Sequence, residues 1–182
     1  MGPSSAGNAP VAISADGNTI VGYYMSRIGS PASNEILWRW TAAGGVETLA
    51  YAAEPDTEIA SLFSTADASL VVAVASPLQG STFAPNAMRW SSSGDPSILF
   101  AGGAGDMSAD GSLIAGWDAN GAPLLWTASD VKYFADIAAA QGIDTQGWQL
   151  GKPIYVAEDG SFVLGRGVCG ETTVTYRLSL HE

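Results

Sequence analysis

Residues 106–116 read DMSADGSLIAG, and this stretch returns along the chain. Residues 12–22 are AISADGNTIVG and residues 155–165 are YVAEDGSFVLG; between them 63–73, FSTADASLVVA, is a copy in which Ala68 and Ala73 replace the glycines. The aligned aspartates are Asp16, Asp67, Asp110 and Asp159, spaced by 51, 43 and 49 residues. A second element follows each copy: EILWRWTAAGGVETL from Glu35, NAMRWSSSGDPSIL from Asn86, APLLWTASDVKYF from Ala122 and TTVTYRLSL from Thr172. A two-part motif repeated at 40–50 residues is the mark of a repeat architecture, in which each copy is one supersecondary unit.

Each copy translates into strands. Apolar residues before the aspartate form a first strand. Ser-Ala-Asp-Gly supplies a turn, with Asp accepting from backbone N–H groups and Gly taking positive φ; hence Asp16, Gly17, Asp110, Gly111, Asp159 and Gly160 are assigned as structural turn residues. A second strand follows and is expected to end at Gly22, Gly116 or Gly165. A third carries Trp40, Trp90, Trp126 or Tyr176, expected to pack in the core, and a short fourth runs from Val46 to Leu49 or from Ser97 to Phe100. The spacing predicts an all-β, propeller-like array of about four four-stranded antiparallel blades, the last incomplete because it stops after its third strand. One short amphipathic helix is expected over 129–141, with Val131, Phe134, Ile137 and Ala138 on one face, Ser129 or Asp130 as N-cap and Gly142 as C-cap. Residues 1–10 read as a flexible N-terminal segment, an expression scar or a cut inside a longer chain, and 11–182 as one repeat domain with units near 11–60, 61–103, 104–150 and 151–182.

Composition agrees with a sheet protein. Of 182 residues 22 are glycine, above the usual ~7%, and only 14% are charged, below the usual ~25%. The net charge of -11 repels phosphate backbones and anionic lipid headgroups, so neither nucleic acid nor a membrane surface is an expected partner. No apolar run approaches the ~20 residues that cross a bilayer. The first residues have neither the basic nor the apolar region of a signal peptide.

The pairing of SADGxxxVG with a downstream (A/L)xxWT..GG...L resembles the HAF-type extracellular repeat of bacterial surface and secreted proteins. The run from Tyr133 to Leu178, helix then GIDTQGWQL, AEDGSFVLG and TYRLSL, resembles the closing repeat of some autotransporter passenger regions. The His-Ala-Phe triplet that names the family reads here Glu35-Ile36-Leu37, Asn86-Ala87-Met88 and Pro123-Leu124-Leu125. The resemblance implies a propeller at the cell exterior and carries over no catalytic residue.

No constellation for chemistry stands out, and no catalytic residue, metal or cofactor is expected. His181 is the sole histidine, which removes histidine triads and multi-histidine metal sites. Cys169 is the sole cysteine and lies in GRGVCG (165–170), which matches GxGxxG literally but reads as a loop between strands, with no helix after it. The repeated aspartates lie in different repeats and read as turn caps rather than calcium ligands; the best local cluster is Asp106, Asp110, Asp118 and Asn120. Among 18 acids a pair at glycosidase separation is guaranteed and so discriminates nothing. Trp38 and Trp40 share one face of their strand and Arg39 the other. Tyr23, Tyr24, Trp117 and Trp148, near strand ends and loops, are the candidate ligand-stacking residues.

Three functions follow as expectations. The first is a non-enzymatic extracellular binding or scaffold module with a protein or glycan ligand. The second is a glycan-active hydrolase or lyase using carboxylates in a propeller channel. The third is an assembly element whose open edge is completed by another copy or by the remainder of a larger propeller.

Overall fold

The computed structural model describes residues 8–26, 34–49, 57–77, 85–91 and 96–180. The fold is all-β with one short helix, and the chain divides into two compact units, Met1–Leu99 and Phe100–Glu182. In the first unit β1 (Asn8–Ile13), β2 (Thr19–Ser26), β3 (Asn34–Thr41) and β4 (Gly45–Thr48) form an antiparallel sheet in chain order. β5 (Thr57–Ser64), β6 (Val71–Pro77) and β7 (Asn86–Trp90) pair in the same way, and β8 (Pro96–Met107) adjoins β7. The division between the units falls within β8. In the second unit β8 pairs with β9 (Leu113–Asp118), then come β10 (Pro123–Thr127) and β11 (Val131–Tyr133). The helix α1 (Phe134–Ala140) follows, and β12 (Trp148–Val156), β13 (Phe162–Cys169) and β14 (Thr172–Ser179) form a three-stranded sheet.

The repeated turns are built alike. Asp16 Oδ1 accepts from the Ser14 hydroxyl (2.6 Å) and the Asn18 amide (2.9 Å), while Ser14 Oγ accepts from the Thr19 amide (2.9 Å). Gly17, at φ +73°, donates its amide to Ser14 O. The same geometry recurs at Ser108-Asp110-Gly111, with φ +69°, and at Thr65-Asp67. There Ala68 sits at φ 54° although it has a Cβ, so the second copy keeps the turn at a steric cost of roughly 1–2 kcal/mol. Successive turns are tied by backbone bonds, Ala15 N–H to Ala66 O (2.7 Å) and Ala109 N–H to Glu158 O (3.1 Å).

Each unit has its own core. In the first, Val21, Leu37 and Leu49 meet Leu62, Val71, Ala73, Met88 and the fully buried Trp90. In the second, Ala115 and Leu125 meet Phe134 and Ala138 of α1 and Val156, Val163, Tyr176 and Leu178. Burial alternates along β13 and β14, as expected where one face packs in the core, whereas Val71–Ala75 of β6 are buried at every position, so both faces of that strand are covered.

Several expectations are corrected. Val131–Tyr133 is a strand paired with 124–126, so α1 starts at Phe134 with Tyr133 as its N-cap, not at Ser129 or Asp130. Gly142 does end the helix: at φ +71° its amide reaches Ala139 O and that of Ile143 reaches Ala138 O, a Schellman arrangement. The strand does not stop at Gly22, Gly116 or Gly165; each lies within it. Residues 165–169 are likewise part of β13, so Cys169 is in a strand opposite Trp148 and Thr172, not in a loop. Finally, residues 8–10, placed outside the repeat by sequence, pair with Tyr24, Tyr23 and Gly22, with a bulge between Pro10 and Ala12 relieving the ladder where Pro10 has no N–H.

The register also resets one equivalence. Trp40 faces Ile20, Trp90 faces Val71 and Trp126 faces Ile114, each partner lying four residues after the motif aspartate. Tyr176 instead faces Gly165, six residues after Asp159, as Trp38 faces Gly22. The counterpart of Trp40 in the last sheet is Leu178, opposite Val163.

Candidate functional site

The motif aspartates are occupied by their own turns. Asp16, Asp67 and Asp110 are pulled from the ordinary 3.8 to about 2, chiefly by the Ser14 hydroxyl, the Thr65 hydroxyl and the Ser112 amide respectively. Asp159 accepts from the Ser161 amide (2.9 Å). The supposed local cluster is served by separate partners: Asp106 Oδ2 accepts from the Val156 amide (2.8 Å), while Asp118 Oδ1 accepts from the Asn120 and Ala122 amides, which lowers its pKa. Among the described residues no group of three His, Cys, Asp or Glu is placed to hold a metal. His181 lies outside the described residues.

These depressed values set an acid limit. A carboxylate with a folded pKa below its unfolded one adds stability that is fully present above the unfolded value and is lost as pH falls through the folded value. The thermal midpoint is therefore expected to drop as pH falls from about 4 toward 2. A triple variant Asp16→Asn, Asp67→Asn, Asp110→Asn should show a lower midpoint at pH 6 and a flatter decline below pH 4, measured by circular dichroism.

The four candidate aromatics are not brought together. Tyr23 and Tyr24 are half-buried on β2 in the first unit, and Tyr23 packs on its core. Trp117, in β9, has its ring close against Gly103, with Lys152 Nζ 4.2 Å from the ring centroid. Trp148 lines a groove of about 170 Å³ in the second unit. Its walls include Ile143, Leu150, Tyr176 and Leu178, with Asp144 and Arg177 supplying charge. Trp148 is 40% exposed and Ile143 48%, so two large apolar side chains stand open to solvent there. Ile143 escaped the sequence reading; its signal is the apolar residue just after the helix-ending Gly142.

Tyr176 fixes the groove floor. Its hydroxyl donates to Gly151 O (2.7 Å), its ring meets Phe134 edge-on at 6.3 Å, and burial raises its pKa to about 12. Of the other expected core aromatics, Trp90 is buried whereas Trp40 and Trp126 are half-buried. A larger hollow, about 610 Å³, lies between α1 and β10 and is lined by Leu113, Leu125, Lys132, Ile137 and Leu180 among others. It has no aromatic wall.

The chain matches no family model and no curated protein sequence. It does match solved structures. A structure from a study of two prolyl endopeptidases superposes with TM-score 0.61 at 13% identity, covering 96% of this chain and 28% of that one. A dipeptidyl aminopeptidase IV-type protein of Bacteroides ovatus gives 0.64 at 10%, covering 95% and 32%. A TolB-type protein of Agrobacterium tumefaciens gives 0.55 at 14%, covering 95% and 58%. The chain thus spans about a third or less of the first two. At such identities the likeness is one of fold: these neighbours are β-propeller proteins, and the fold is β-propeller-like.

Proposed function

We propose that this chain is a run of four propeller blades acting as a non-enzymatic binding or scaffold module of a bacterial surface or secreted protein of the HAF-repeat type. In this reading β1–β4 form the first blade, β5–β7 with the start of β8 the second, the rest of β8 with β9–β11 the third, and β12–β14 a last blade of three strands. The aspartate turn between the first two strands of each sheet supports the division. The extracellular setting rests on the sequence resemblance, and proteolysis of intact against lysed cells tests it.

The observation that carries the binding role is the Trp148 groove, where an exposed indole and Ile143 stand over the buried Tyr176 and Leu178. Aromatic platforms of this kind suit the apolar face of a sugar ring or a peptide side chain. Calorimetry against a panel of bacterial-surface oligosaccharides and extended peptides should find a ligand whose affinity falls at least tenfold in Trp148→Ala. Binding that ignores Trp148 would sink the groove reading. New reducing ends or unsaturated sugars in the glycan mixtures would favour the hydrolase or lyase instead.

A second reading, an assembly element, is favoured by β14. This eight-residue strand ends its sheet and has one neighbour, β13, among the described residues. Such edges are templates for strand pairing.

A further inference from the structure

The first sheet contains a template for what would lie beside β14. There β3 has β4 on its outer side: Trp38, Arg39, Trp40 and Thr41 face Thr48, Glu47, Val46 and Gly45. Because Trp38 faces Gly22 and Tyr176 faces Gly165, at the same offset from their aspartates, Tyr176-Arg177-Leu178-Ser179 holds the register of Trp38-Arg39-Trp40-Thr41. Arg177 is therefore the counterpart of Arg39. The two arginines differ in what they meet. Arg39 is buried and paired with Glu47 of β4. Arg177 is exposed; its Nη1 donates to Ser179 Oγ (3.2 Å) and its guanidinium lies 4.4 Å from the Phe162 ring centroid. It meets no carboxylate among the described residues.

The backbone points the same way. The Leu49 amide donates to Leu37 O (3.0 Å), so every second main-chain group of β3 faces its outer neighbour. By the same register Thr175, Arg177 and Ser179 present theirs to the open side of β14. One of these groups is already engaged, since Gln141 Nε2 donates to Ser179 O (2.7 Å). The side chains at 173, 175 and 177 are exposed, while Tyr176 and Leu178 are buried in the core.

We propose that β14 accepts an antiparallel strand from a partner chain with the pattern Gly-apolar-Glu-x-Leu, its carboxylate paired with Arg177. The proposal rests on the assembly reading and names the partner's chemistry. Main-chain bonds along the edge supply affinity, and the single charge fixes register. In a chain of net charge -11, an acid-bearing strand is repelled elsewhere and welcomed only beside a local cation, which makes the pairing selective.

The probe is the peptide of residues 43–50, Ala-Gly-Gly-Val-Glu-Thr-Leu-Ala, offered to the whole protein. Hydrogen exchange at the amides of 173–177 and a binding isotherm are measured for it and for its Glu47→Lys form. The native peptide should slow exchange there and bind at least tenfold more tightly than the lysine form. Arg177→Glu in the protein should reverse that preference; the side chain is exposed, and unchanged exchange in β12 and β13 shows that the variant is folded. Equal protection by both peptides would overturn the acidic-strand proposal and leave the assembly reading standing. No protection by either would overturn the proposal too, and light scattering would then decide the reading beneath it: an oligomer at near-millimolar concentration keeps it, and a monomer removes it.

Discussion

Replacing Trp90 by alanine is expected to cost the first unit about 3–5 kcal/mol, the range for removing a fully buried large aromatic. Trp90 has no exposed surface and packs in one cluster with Val71, Ala73 and Met88 of its own sheet and Val21 and Leu37 of the first. Truncation would leave a cavity bounded by two sheets, neither of which can close on it without breaking its ladder. Trp40→Ala is the internal control. It holds the same register position, but it is half-buried in a row with Ile13, 63% exposed, and Val46, 70% exposed. Its loss should be well under half as large. Hydrogen exchange of the whole chain under urea, read over residues 57–77, measures both. Equal costs would mean that the repeated tryptophan is not the element joining the two sheets.

That contrast between register-equivalent tryptophans shows how far the sequence could be read. The turns were legible because their chemistry is local: Asp16, Asp110 and Asp159 accept from amides two residues on, and the following glycine takes positive φ. The antiparallel hairpin about each aspartate followed from the repeat, but the strand count did not: Ser97–Phe100, expected as a separate short strand, runs on to Met107 in β8, and Val131–Tyr133 adds a strand. What escaped depended on contacts between strands. The glycines at 22 and 165 looked like strand ends, yet they sit mid-strand because the Trp38 and Tyr176 rings occupy the space that a Cβ would take. Tyr176 was aligned with Trp40 by residue type, and only the ladder shows that it stands two places earlier. Val131 fits a helical stripe with Phe134 and Ile137, but Val131-Lys132-Tyr133 gains a strand partner in β10, and pairing wins over periodicity. Trp148 could be named from sequence as an exposed aromatic, whereas its groove could not. The groove depends on Gly142 turning the chain so that Ile143 and Asp144 come up against β12 and β14.

The close approach at Gly165 leads to the second large effect. A Cβ added there would lie 2.2–2.8 Å from the Tyr176 hydroxyl and ring carbons, far inside van der Waals contact. Tyr176 cannot yield cheaply, because its hydroxyl is bonded to Gly151 O and its ring is wedged edge-on against Phe134. Gly165→Ala should therefore cost about 1–3 kcal/mol through overpacking. The contacts at issue belong to one side chain, so the cost should largely vanish when Gly165→Ala is made in a Tyr176→Ala background, a coupling that a double-mutant cycle in urea would measure. Gly151→Ala supplies the contrast. Its Cβ would meet the Arg166 carbonyl oxygen at 2.3 Å, a backbone atom held in the ladder, and no side-chain truncation can relieve it. If Tyr176→Ala rescued Gly151→Ala as well, the rescue would reflect general loosening of the last sheet. If it rescued neither, the motif glycine would be required by the backbone and not by the ring. Rescue of Gly165→Ala alone means that this copy keeps a glycine six residues after its aspartate because the Tyr176 ring fills the space of a Cβ, as the Trp38 ring does at Gly22. In the second copy Ala73 faces Met88 and a methyl group is tolerated, whereas Gly116 faces Leu124 and is required by the Phe100 ring and the Gly103 carbonyl of β8 on its other side.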